Sequence, residues 1–200
     1  MNTGLRSKAG FTLIELMFTL GIAAAVVMVG VPSFNDAITN ARATAYTNDL
    51  VLAFSLARSE AVKRGVTVSV AHKGGAPTQW EGGWDVFVDL DGDGSFYDNN
   101  IPPECETNED CLLRVFEPLE GGFTLRSGGG AAASALVFAP SGLLSVVATT
   151  TFALCGGGYN KNTESDATRL RNIRVNNTGR ARIEKPSGDH SAAGLPGGCQ

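Results

Sequence analysis

Between residues 11 and 31 the chain carries one charged side chain, Glu15, in a run otherwise made of apolar residues, Thr and Gly. Wound as a helix rising about 1.5 Å per residue, that run is about 31 Å long, the thickness of a bilayer's hydrocarbon core. Arg6 and Lys8 stand just ahead of it and are expected to stay on the cytoplasmic side. An ordinary secretory signal would look different: the apolar run is too long, no small-x-small cleavage site follows, and a carboxylate sits near its start. Burying that carboxylate in lipid costs on the order of 2.5–3.5 kcal/mol on insertion scales, so Glu15 is expected to have a partner or a task.

The remainder fits one domain of moderate size. Residues 11–64 are predicted to form one long helix with a weak point at Gly21, Gly30 and Pro32, the last of which removes a backbone hydrogen bond. Beyond Pro32 the pattern turns amphipathic. Ile38, Ala41, Ala45, Leu52 and Leu56 fall at helical spacing, and Leu50, Phe54, Ala57 and Ala61 widen the stripe. Gly65 is the expected stop, with Lys63 and Arg64 in the last turn. From there the period becomes two, as in Val66, Val68 and Val70 and in Trp84, Val86 and Val88. Further strands are predicted at 112–116, 123–126, 135–139, 143–147, 151–155, 172–176 and 180–184. Short strands, frequent turns and 25 glycines point to an α+β fold, with antiparallel sheets packed on the second half of the helix.

Gly10-Phe11-Thr12-Leu13-Ile14-Glu15-Leu16 resembles the class III signal of type IV prepilins and type II secretion pseudopilins. Three further stretches resemble the GspH/FimT/FimU branch of that superfamily: Leu56-Ala57-Arg58-Ser59-Glu60-Ala61, Gly83-Trp84-Asp85-Val86-Phe87, and Phe138-Ala139-Pro140-Ser141-Gly142. The resemblance implies a pilin fold made of a leader (1–10), a helix (11–64) whose first segment (11–31) is transmembrane and then filament core, and a globular domain (65–200). It implies cleavage by a prepilin peptidase after Gly10, methylation of Phe11, and a Glu15 that neutralises the N-terminus of a neighbouring subunit. The expected partners are other major and minor pilins or pseudopilins, and the expected location is the inner membrane, with the globular domain periplasmic until assembly into an extracellular pilus. Two functions stay open. One is a minor type IV pilin that primes or caps the filament and binds double-stranded DNA in natural transformation; the other is a minor pseudopilin of a type II secretion system with no DNA-binding role.

Charge is unevenly placed along the chain, whose net charge is -4. From Glu81 to Glu120 there are twelve acidic residues and one base, Arg114. Within that segment Asp89, Asp91 and Asp93, followed by Gly94, match the opening of a calcium loop, but the twelfth position is Asn100 rather than a bidentate Glu. The same residues would also build an Asp/Gly hairpin turn. Farther on, Lys161, Arg169, Arg171, Arg174, Arg180, Arg182 and Lys185 form a basic stretch. Gly179-Arg180-Ala181-Arg182 resembles a Gly-Arg-x-Arg signature of DNA-binding minor pilins. Arg180, Arg182, Arg169, Arg171 and Arg174 are therefore the candidate DNA contacts, the alternative being a solvated edge strand that meets neighbouring pilins.

Four cysteines behind an export signal point to disulfides, and no Cys-x-x-Cys pair supports zinc. Cys155 with Cys199, and Cys105 with Cys111, is the expected arrangement among three that are open. No enzyme is expected: His72 and His190 stand apart from any nucleophile elbow or metal-ligand pair, and Gly156-Gly157-Gly158 lacks the Lys-Ser/Thr of a phosphate loop. No cofactor is implied beyond the calcium candidate.

Overall fold

Helix α1 (Leu13–Arg64) opens the fold and is followed, among the described residues, by eight strands. The structure, a computed structural model, describes residues 10–97, 109–128, 133–146, 149–157 and 170–184, without the side chains of Val29, Pro32 and Ser33. Two compact units divide the chain, one ending at Ile38 and the other beginning at Thr39.

In the first unit α1 starts on a cap that the sequence reading passed over. Thr12 accepts a hydrogen bond from the Glu15 backbone N–H at 3.3 Å, and Glu15 lies in the first turn, where the helix dipole favours an anion. The helix runs unbroken through Gly21, Gly30 and Pro32. Its large apolar side chains in this unit are exposed, Leu13 at 77% and Met28 at 81%. Among the described residues no helix is long and apolar enough to cross a membrane.

In the second unit the rest of α1 packs on two antiparallel sheets. The strands are β1 (Val68–His72), β2 (Trp84–Val88), β3 (Cys111–Phe116), β4 (Thr124–Ser127), β5 (Ala135–Phe138), β6 (Thr150–Cys155), β7 (Leu170–Val175) and β8 (Ala181–Glu184). One sheet has the order β3-β2-β1-β5 and the other β4-β6-β7-β8. Alternation follows the pleat: Val68, Val70, Val86, Phe152, Leu154, Ile173 and Val175 all enter one core shared by helix and sheets. Phe152 is its hub, with Phe54 at 5.4 Å and Trp80 at 5.0 Å between ring centroids. Each fully buried aromatic of this kind contributes about 1.5–3 kcal/mol of transfer free energy.

The helix stripe is narrower than the sequence expectation: Leu50, Phe54, Ala57 and Ala61 of the expected set are buried, and others of it are not. Ala43, Leu50, Ala53, Phe54, Ala57 and Ala61 are buried, whereas Ile38, Ala41, Ala45 and Leu52 are exposed. At about 100° per residue those two sets lie roughly half a turn apart. Small residues at 43, 53, 57 and 61 let the sheets approach, and Leu50 and Phe54 fill the space between; apolar spacing alone does not distinguish that face from its opposite. Of the predicted strand at 143–147, the described residues 143–146 form no strand. The turn from Ala139 to Gly142 reverses the chain so tightly that only Leu144 bridges back to Phe138. Cys111 and Cys155 are buried and neither is a free thiol; Cys105 and Cys199 lie outside the described residues.

Candidate functional site

The Gly-Arg-x-Arg stretch sits where strand β8 begins. Asn176 closes the β7–β8 turn: its Oδ1 accepts bonds from the Thr178 hydroxyl at 2.7 Å and the Arg180 N–H at 3.0 Å. Gly179 has φ +72°, and a Cβ there would lie 2.6 Å from Phe138 Cε1. Glycine is thus required twice over, for its backbone conformation and for its closeness to the core. Gly142 is constrained in the same way where it faces the helix, with φ +76° and a would-be Cβ 2.8 Å from Val62 Cγ2 and 3.3 Å from Arg58 Nε. Leu144 N–H donates to the Asn177 carbonyl at 3.3 Å and ties that turn to the hairpin. Three stretches distant in sequence, 56–61, 138–142 and 179–182, therefore meet.

At their meeting point lies a groove of about 640 Å³. Arg58 and Lys63 of α1 form one wall, Arg180 and Arg182 the other, with Val62 and Ala181 between and Ser55 and Ser59 alongside. Among the described residues, no carboxylate lines it. Lys63 shares Glu60 with Arg64, at 3.5 and 2.6 Å, and these bonds hold the Glu60 carboxyl below its ordinary range. Among the described residues, Arg58, Arg180 and Arg182 are in no ion pair.

The other basic candidates are placed differently. Arg174 lies directly across from Arg182 in the β7–β8 ladder and approaches Glu184 at 3.9 Å. Arg171 shares the strand face of Ile173 and Val175, is half-buried, and donates from Nη1 to the Leu170 carbonyl at 2.9 Å. Arg169, Lys161 and Lys185 lie outside the described residues. Arg58 was missed by sequence reasoning, although Ser55, Arg58, Ser59 and Val62 fall at i, i+3, i+4 and i+7 and mark one helix face.

The acidic loop is organised inward. Asp89 is fully buried and accepts bonds from the Ser69 hydroxyl, Gly92 N–H at 2.7 Å and Gly94 N–H at 2.9 Å. Burial pushes its carboxyl above the ordinary range, against the pull of those three donors. Asp91 accepts from Asp93 N–H and Asp93 from Ser95 N–H, at 3.2 and 2.6 Å. Asp110, buried and distant in sequence, accepts from Leu90 N–H at 3.1 Å and Tyr97 N–H at 2.9 Å. One oxygen each of Asp89, Asp91 and Asp93 lies within 4.8 Å of the others, so the loop does gather the calcium candidates; Asn100 lies outside the described residues. Nearby, Asp85 sits 3.2 Å from Lys73 Nζ, yet burial raises its carboxyl above the ordinary range. Gly10, Phe11 and Glu15 are all exposed at the start of the described chain.

Comparison with known proteins gives a consistent picture. Residues 46–179 match the family described as type II transport protein GspH, and residues 5–31 match the prokaryotic N-terminal methylation motif. Among solved structures, the type IV minor pilin FimU of Pseudomonas aeruginosa aligns at 20% identity with a TM-score of 0.52, covering 70% of this chain and 87% of that one. The minor pseudopilin EpsH from the type 2 secretion system of Vibrio cholerae aligns at 14% identity with a TM-score of 0.48, covering 73% and 98%. No curated protein sequence matches.

Proposed function

The chain belongs to the GspH family, and from that premise we propose that it is a minor type IV pilin that enters a filament through residues 11–31 and captures duplex DNA in its basic groove. Its class, a minor pilin or pseudopilin with the pilin fold and no enzymatic role, follows from the family and the fold. In this reading the prepilin peptidase cuts after Gly10 and Phe11 becomes the methylated terminus, consistent with the methylation motif at 5–31. Residues 11–31 then hold the protein in the inner membrane until assembly, and Glu15 pairs with a neighbouring N-terminus, since neither charge is stable alone in a low dielectric. The domain sits at or near the pilus tip and helps prime or cap the fibre. Cys155–Cys199 and Cys105–Cys111 are the disulfides of this reading, the former stabilising by about 4 kcal/mol in the chain-entropy description.

The observation that carries the DNA reading is the pair of guanidiniums at Arg180 and Arg182, in no ion pair and lining a groove without carboxylates among the described residues. Phosphate neutralisation by such groups releases counterions and weakens steeply with salt. The test is duplex binding by the unit from Thr39 onward across a salt series, beside Arg180→Ala/Arg182→Ala. Collapse of binding in a variant that still folds supports capture; binding that is absent or indifferent to the substitution removes it. A second reading has its own support, because the matching family is described as a type II transport protein. There the chain is a pseudopilin and the arginines meet a neighbouring subunit; loss of protein secretion, with twitching and DNA uptake intact, on deletion would select it.

A further inference from the structure

We propose that the DNA site has two walls, with Arg58 and Lys63 of helix α1 contacting phosphates opposite Arg180 and Arg182, so that a single phosphodiester strand of the duplex lies between helix and hairpin. This rests on the DNA-capture reading above and extends it from a four-residue motif to a composite site.

Arg58 is the pivotal residue. It is half-buried, and its stem lies against the turn at Gly142, close enough that a Cβ on that glycine would stand 3.5 Å from Arg58 Cγ. The guanidinium has no carboxylate partner among the described residues. An arginine whose stem is packed and whose head is unpaired is preorganised, so less rotamer entropy is lost when it binds an anion. Lys63 adds charge on the same wall, shared with Glu60 at 3.5 Å.

The neighbouring hydroxyls do not compete for a ligand. Ser55 and Ser59 donate to the Val51 and Leu56 carbonyls of their own helix, at 2.8 and 2.9 Å. Among the described residues that line the groove there is no aromatic side chain to stack on a base and no Asn or Gln to pair with adenine. Contacts that run through the phosphates alone make binding indifferent to sequence. The same arrangement predicts no preference for exposed bases.

The experiment compares the unit from Thr39 onward as wild type, Arg180→Ala/Arg182→Ala, Arg58→Gln/Lys63→Gln, and Arg58→Lys, using duplex DNA from low to high salt. Each phosphate left unneutralised flattens the dependence of log K on log salt by about 0.9. The helix pair replaced by Gln should flatten it by about 1.8 and weaken low-salt binding about 10- to 100-fold, while Arg58→Lys keeps the slope. Two duplexes of unrelated sequence should bind alike. Wild-type binding and slope in Arg58→Gln/Lys63→Gln, with binding abolished only in the hairpin variant, would overturn the helix wall and leave the DNA reading standing. No duplex binding by the wild type would overturn both. Equal weakening in Arg58→Lys and in the Gln pair would mean that Arg58 acts through packing and not through its charge, which also overturns the proposal.

Discussion

The chain has two strongly charged turns, the acidic loop after β2 and the basic hairpin between β7 and β8, and they handle charge in opposite ways. In the first, Asp89 and Asp110 turn inward and between them accept four backbone N–H groups and a hydroxyl. In the second, Asn176, a neutral residue, closes the turn, and Arg180 and Arg182 stay outside it without carboxylate partners among the described residues. A run of like charge in a sequence therefore has two meanings. Where the groups serve as local acceptors they are structure; where an uncharged residue builds the turn, the charge stays outside the fold's own hydrogen bonding.

That contrast can be tested by removing charge from each side. Asp89→Ala should have the largest effect, about 3 kcal/mol, because it strands buried donors; a melt should fall by roughly 6–12 °C. Gly179→Ala should cost about 1–3 kcal/mol through positive φ and the close approach to Phe138, and should distort the groove as well. Asp85→Asn sharpens the acidic side through pH. Its folded carboxyl lies above the ordinary value of 3.8, so its contribution is fully present below that value and is lost as pH rises through the folded one. Melts from about pH 3.5 to about pH 7 should show the wild type losing ground to the Asn variant, by about 1 kcal/mol or less. Arg180→Ala/Arg182→Ala should leave stability within about 0.5 kcal/mol, as surface changes do. Calcium at roughly 1 mM should not move the melting temperature, since the Asp89 oxygens already have donors; a rise would mean the loop binds the ion.

Much of this was legible before any fold was known. The apolar run with Glu15, the glycine stop at Gly65 and most strands follow from period and punctuation. The stripe on α1 was legible as one wide apolar band, because Leu52 and Leu50 are equally apolar and only the sheets decide which part of it is covered. Arg180 and Arg182 could be singled out by their motif and alternation. Arg58 could not, since what makes it one wall of the groove is the turn at Gly142, more than eighty residues away along the chain. Asp110 escaped for the same reason: its role is to cap Leu90 and Tyr97 N–H groups supplied by another segment.

Strand β8 is the outermost of its sheet, four residues long, and Ile183 on it is 48% exposed. Among the described residues nothing pairs with its outer edge, and such an edge is a template for another copy of the chain. Arg182 and Glu184 project from it, and short, charged edges resist that pairing. Arg182 and Glu184 thus guard that edge against pairing with another copy. Replacing them with alanine takes away that guard, so the double variant should self-associate at concentrations where the wild type stays monomeric.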